Sequence, residues 1–297
     1  MKRVLIIILV LIALYFVVQG VRCTNGVNNA REKLKTYDVN TANLSYGEIH
    51  YIDEGEGETI LAVHGIFGGY DQAYDGFKNR VSKNRLIAPS RFGYFGSSVK
   101  GEGTPKAQAE AFKELLDYLN IDKVFILGTS AGGTPAIRFA LDYPEKVKGL
   151  ILFCSAMPVS EKPESFIEYQ APPELLLSDY AMYLISPLMP AVMGMPASTV
   201  ETILPVSDRK EGVILDGKFI NPDMERNFED YSIESLEMPV LILHSENDSV
   251  ASYDKVEKAK HRFPELTLVT FPDGGHMMLG HGKEIDTALD DFIHAHR

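Results

Sequence analysis

Val124-Phe125-Ile126-Leu127-Gly128-Thr129-Ser130-Ala131-Gly132-Gly133 is the run whose reading decides the fold. Its first half is apolar, β-branched and aromatic, as a buried strand requires. Its second half is Gly-x-Ser-x-Gly, and Thr134-Pro135-Ala136-Ile137-Arg138-Phe139-Ala140-Leu141 follows as a helix, with Pro135 tolerated in a first turn that has no N–H partners to lose. A serine at the tip of so tight a turn has strained backbone, and glycines two residues to either side remove the collisions that side chains would cause there. The helix aims its positive N-terminal end at the same spot. The motif is not a phosphate loop, because no Gly-Lys-Ser/Thr ending is present, and it lacks the spacing of a dinucleotide fingerprint. Taken alone it fits either a nucleophile or a plain glycine-rich turn, so the flanking chain has to decide.

Upstream, Leu44 to Asp53 reads as a strand or hairpin, Thr59 to Val63 as a buried strand running into His64-Gly65-Ile66-Phe67-Gly68-Gly69, and Arg85 to Pro89 as another short strand. Thr104-Pro105 opens a helix with Phe112, Leu115, Leu116 and Leu119 on one face. Downstream, Val147 to Cys154 is a strand. From Ser155 to about Glu237 prolines and methionines recur and the pattern turns to short helical pieces, such as Leu175 to Leu177 and Tyr180 to Met193. Strand character returns at Val240 to Leu243 and Leu266 to Phe271, with helices at Tyr253 to His261 and at a last segment carrying Ile285, Leu289, Phe292 and Ile293 on one face. Alternating strands and helices imply parallel pairing with helices on both faces, and such sheets hold ligands beyond the carboxyl ends of their strands. Ser130 falls at one of those ends.

The chain has 297 residues and a net charge of −12, which argues against nucleic acid or anionic lipid as a partner. Two cysteines, Cys23 and Cys154, are too few for a disulfide framework. The histidines lack a paired metal-ligand spacing, so neither a metal nor another cofactor is expected. Lys2-Arg3 precede an unbroken apolar run from Val4 to Val18, the pattern of a signal or signal-anchor, and no Ala-x-Ala cleavage site follows. A single-pass N-terminal anchor over residues 1–23 is expected, with 24–40 as a polar linker. Secretion after cleavage is the alternative. Lys2 and Arg3 favour a cytoplasmic N-terminus, Arg22, Arg31, Lys33 and Lys35 pull the other way, and the expectation is an extracytoplasmic domain.

A serine hydroxyl needs an imidazole to take its proton and an acid to orient that imidazole. In this architecture they follow the serine in the order acid, then histidine. His244-Ser245-Glu246-Asn247-Asp248-Ser249 follows one late strand and Pro272-Asp273-Gly274-Gly275-His276 follows the next. Asp248 is the first choice for the acid with Glu246 behind it. His276 is preferred to His281 as the base, because it follows a diglycine. His64 reads as a loop-positioning residue and His244 as structural.

With these residues the chain resembles the α/β-hydrolase superfamily, in particular its lid-bearing serine carboxylesterase and lipase-like members. The resemblance covers nearly everything from Ala42 onward except the lid. It implies an α/β-hydrolase fold: a mostly parallel sheet flanked by helices, with core residues 41–155 and 238–297 and an inserted, mainly helical lid at 156–237. It makes Ser130 the nucleophile, Asp248 the acid and His276 the base, and gives the oxyanion the backbone N–H groups of Ile66 and Ala131. A serine nucleophile excludes epoxide and haloalkane chemistry, where its ether adduct could not be hydrolysed. The apolar, methionine-containing lid suits an apolar acyl or alkyl group. The small-molecule substrate is therefore expected to be a carboxylic ester, and the anchor makes a lipid-derived one attractive. Another acyl bond (a thioester, an amide or a carbon–carbon bond of a diketone) and a catalytically silent binding protein remain open.

Overall fold

In the computed structural model, which describes Met1 to Arg297 apart from the side chains of Val192 and Met193, a long helix α1 (Lys2–Leu34) leads into a hairpin of β1 (Asn40–Leu44) and β2 (Gly47–Glu54). Then come β3 (Glu58–Val63), α2 (Tyr70–Phe77), β4 (Asn84–Pro89), α3 (Pro105–Tyr118), β5 (Val124–Thr129), α4 (Gly133–Asp142) and β6 (Val147–Phe153). Short helices follow: α5 (Asp179–Ile185), α6 (Met189–Met193), α7 (Thr199–Thr202), α8 (Lys210–Leu215) and α9 (Asp223–Arg226). The alternation resumes with β7 (Val240–Ser245), α10 (Tyr253–Ala259), β8 (Leu266–Phe271) and α11 (Gly282–Ala295).

The strands form one sheet in the order β1-β2-β4-β3-β5-β6-β7-β8. Its first two pairings, β1 with β2 and β2 with β4, are antiparallel, and the rest are parallel. Strand residues alternate between two cores, as a period of two demands. Leu61, Val63, Ile87, Val124 and Ile126 pack with α3, α4 and α10, whereas Ile60, Ala62, Leu86, Phe125 and Leu127 pack with α2 and α11. Because β3 lies between β4 and β5, the winding reverses there. At the carboxyl ends of β3 and β5, beside that switch point, the loop after β3 meets the turn after β5.

Local chemistry explains most boundaries. The Thr104 side chain accepts the Ala107 N–H at 3.2 Å and Pro105 occupies the first turn of α3. The stretch Tyr180 to Met193, expected as a single helical piece, is divided into α5 and α6 by a 3₁₀ turn at Ser186–Leu188 around Pro187, whose ring cannot continue an α-helix.

Residues 24–40, read from composition as a polar linker, are helical as far as Leu34. The reason is a second stripe on α1: Cys23, Val27 and Ala30, at i, i+4 and i+7, pack onto Met182, Tyr183, Val200 and Leu204 of the β6–β7 segment. Arg31 pairs with Asp208 at 3.2 Å and Lys33 with Asp75 at 2.5 Å. The apolar half of α1, Val4 to Val18, leaves its large side chains exposed. The whole of α1 is long enough, and its N-terminal part apolar enough, to cross a membrane, a character that a signal sequence shares.

Candidate active site

The turn after β5 holds Ser130 at φ 51°, a left-handed backbone that a non-glycine residue adopts only where its surroundings enforce it. Two glycines make the turn sterically feasible. A Cβ on Gly132 would lie 2.4 Å from the carbonyl oxygens of Val63 and His64, and one on Gly128 would lie 2.7 Å from Gly133 Cα. The elbow therefore rests directly on the loop after β3.

The loops after β7 and β8 bring the other two side chains to it. Asn247 Oδ1 accepts from Ser245 Oγ at 2.7 Å and from Gly275 N–H at 2.9 Å, tying the two loops together. His276 Nε2 accepts the Ser130 hydroxyl at 2.9 Å, and its Nδ1 donates to Asp248 Oδ2 at 2.7 Å. Asp248 Oδ1 accepts the N–H groups of Val250 and Ala251 at 2.8 and 2.9 Å. So Asp248 both organises its own turn and orients the imidazole. Burial would raise the Asp248 carboxyl, but hydrogen bonds from His244 and His276 and the Ala251 N–H outweigh it, and the group lies well below the usual carboxylate range. Burial likewise opposes charge on His276. The neighbouring Cys154 sulfur and the Asp248 carboxylate outweigh it, so the imidazole is raised above 6.5.

The other candidates lie elsewhere. Glu246 meets Thr270 Oγ1 at 3.3 Å on the exposed side of its strand end. His281 pairs with Asp273 at 2.7 Å and stacks on Phe271. His64 accepts the Arg91 N–H on Nε2 at 2.9 Å and donates from Nδ1 to the Gly65 carbonyl at 2.7 Å. Burial and the adjacent Arg91 charge keep it neutral, in the loop-positioning place expected for it. Ile66 lies on the loop after β3 and Ala131 on the elbow that packs against that loop.

One residue passed over as structural joins the group. His244, fully buried on β7, places Nε2 2.7 Å from the Ala251 carbonyl and 3.3 Å from Asp248 Oδ2. Its spacing of four from Asp248 was the available signal.

Residues 58–188 match the family model described as the alpha/beta hydrolase fold. The chain has the α/β-hydrolase fold. The chain is 25% identical to Lipase 1 of Psychrobacter immobilis over 94% of each chain. It is 36% identical to the 2-hydroxy-6-oxo-6-phenylhexa-2,4-dienoate hydrolase of Burkholderia cepacia, over 40% of this chain and 43% of that protein, less than half of its length. Among solved structures, an esterase from Exiguobacterium antarcticum superimposes with a TM-score of 0.69 at 20% identity, covering 85% of this chain and 98% of that one.

Proposed function

We propose that this α/β hydrolase cleaves a carboxylic ester with an apolar acyl or alkyl group, through Ser130, His276 and Asp248 and an acyl-enzyme. The observation that carries the reading is the continuous hydrogen-bond line from Ser130 Oγ through both nitrogens of His276 to Asp248. On this reading His276 Nε2 takes the serine proton as Oγ attacks the ester carbonyl, and Asp248 stabilises the imidazolium. The N–H groups of Ile66 and Ala131 receive the oxyanion, and His276 returns its proton to the leaving alcohol. Water activated by the same imidazole then releases the acid.

The substrate's apolar character and membrane origin belong to the same reading. Ile66 packs against an apolar cluster of the β6–β7 segment that includes Leu177, Met182 and Met189, and residues 156–237 act as the lid. Leu188, Val250, Met277 and Leu279 are exposed by 60%, 42%, 43% and 54%, on the lid and on the two loops that carry the acid and base. Tyr180, on the same lid helix as Met182, donates to the Phe16 carbonyl of α1 at 3.1 Å. These contacts suit an enzyme anchored by residues 1–23, with its domain extracytoplasmic and its entrance turned to the bilayer, drawing on lipid-derived esters.

The 36% identity to a dienoate hydrolase favours one second reading, cleavage of a carbon–carbon bond in a diketone-like acid. A panel of p-nitrophenyl esters of rising chain length, run beside such a diketone, separates the two. A fluorophosphonate probe that labels the wild type and not Ser130→Ala supports catalysis by Ser130. Failure to label the wild type leaves a binding protein.

A further inference from the structure

We infer that Arg91 and Arg209 are positioning residues for the oxyanion loop, and that the β6–β7 segment sets that loop's geometry through Asp216 and Arg209. The inference rests on the proposed role of the Ile66 N–H.

The loop His64-Gly65-Ile66-Phe67-Gly68 has no regular secondary structure of its own. It is held from outside by two arginines, each buried to 0% exposure. Arg91 Nε donates to the His64 carbonyl at 2.8 Å and Nη2 to the Gly65 carbonyl at 3.2 Å. Arg209 Nη1 donates to the Phe67 and Gly68 carbonyls at 2.9 and 2.7 Å. The two guanidiniums thus hold the carbonyls on both sides of Ile66.

The Gly65 contact bears directly on chemistry. The Gly65 carbonyl and the Ile66 N–H belong to one planar trans peptide and point in opposite directions. Fixing the oxygen fixes the direction of the N–H. That oxygen accepts from both Arg91 Nη2 and His64 Nδ1–H, and a hydrogen-bonded carbonyl polarises its amide and strengthens the N–H as a donor. On the far side, Arg209 anchors Phe67, whose φ of 60° needs external support.

Each guanidinium is neutralised across the junction between core and β6–β7 segment. Arg91, from the loop after β4, makes a two-pronged pair with Asp216 of the segment at 2.6 and 2.5 Å. Arg209, from the segment, pairs with Asp71 of α2, at 3.2 Å from Nη1 and 2.7 Å from Nη2. The Tyr94 hydroxyl donates to Asp216 at 2.7 Å and lies 3.4 Å from the Phe67 N–H. Asp216 opens a π-turn that continues α8, an irregularity that aims its carboxylate into the core. Surface pairs would tolerate sliding. Buried, two-pronged Arg–Asp pairs do not, because a shift strands a charge away from water.

The test uses Asp216→Asn and Tyr94→Phe in the full-length protein, with hydrogen exchange of the 64–69 peptide and ester kinetics per titrated active site. Exchange over 64–69 is expected to speed up at least about tenfold while β5 is unchanged. kcat and the rate of fluorophosphonate labelling fall together by about 10–100-fold, with KM within about threefold, because an oxyanion donor acts chiefly in the transition state. Unchanged exchange at 64–69, or unchanged kcat per active site, overturns the inference. If Asp216→Asn does not fold, Tyr94→Phe decides alone, since it removes one hydroxyl and keeps the ring. If the wild type turns over no ester, the proposed function fails, and exchange still decides whether the arginines hold the loop.

Discussion

His244 and Asp248 meet inside the protein, with Nε2 3.3 Å from the same Oδ2 atom that accepts from His276 Nδ1. One carboxylate oxygen is therefore shared between two imidazoles, and part of its negative charge is committed to His244. Removing that donor concentrates the charge on His276 and raises its affinity for a proton. His244→Leu is expected to move the acid limb of kcat/KM upward by about half a pH unit to one unit. His244→Gln, whose amide can still reach the Ala251 carbonyl, should stay closer to wild type. A pH–rate profile of the three proteins decides, and a limb that does not move in His244→Leu assigns the residue a packing role alone.

The raised His276 imidazole has two consequences of opposite sign. As a base it must be neutral, so activity should climb as the pH rises past 6.5, with an alkaline optimum. As a stabilising charge beside Asp248 it contributes fully below 6.5 and is lost as the pH rises through its raised folded value. Thermal unfolding of Ser130→Ala should therefore show lower Tm at pH 9 than at pH 6 from this source. The double variant carrying His276→Asn as well should lose that part of the difference. Asp248 runs the other way: its depressed carboxyl stabilises the fold above the ordinary carboxylate range and that contribution disappears as the medium is acidified.

The backbone at Ser130 stores strain. With φ at 51° under a Cβ, Ser130 is less stable than glycine would be at that position. Ser130→Gly is expected to be inactive and yet more stable by about 1 kcal/mol, a rise of about 2 °C in Tm. A calorimetric scan reads this directly, and a fall in Tm would mean that the hydrogen bond to His276 outweighs the strain.

The two halves of α1 do different work. A chain beginning at Gln19 should lose membrane association and keep its Tm and its turnover of a short, water-soluble ester. A chain beginning at Lys35 also loses Cys23, Val27 and Ala30 from the apolar cluster they share with Met182 and Leu204. Its stability should drop by about 2–4 kcal/mol. Flotation with vesicles and denaturant titration distinguish the two. Equal stability of both truncations would show that the docked half contributes nothing.

The parts legible in the sequence were those with a local signature. Gly-x-Ser-x-Gly between a buried run and a helix announces a strained turn, and alternating apolar strands and helices announce a parallel sheet. Placing acid and histidine after the two last strands followed from that order. The supports were not legible, because they are long-range pairings of common residues. Nothing near Arg209 points to Asp71, 138 positions away, or to the carbonyls of Phe67 and Gly68. Asp216 looks like an ordinary polar residue in a helical stretch until the π-turn directs it at Arg91. Likewise Cys23, Val27 and Ala30 are too small and too widely interspersed with Asn and Arg to stand out from a linker until α5, α7 and Leu204 give them a partner.

Whether Ser130 carries the acyl group is decided by trapping the acyl-enzyme. The full-length protein is mixed with a p-nitrophenyl ester, quenched in acid during turnover, digested and mapped by mass spectrometry. The acyl mass is expected on the peptide containing Ser130, absent in Ser130→Ala and accumulating without release in a variant slow in deacylation. Ester turnover that persists in Ser130→Ala, or an adduct on another side chain with Ser130 unmodified, would contradict it.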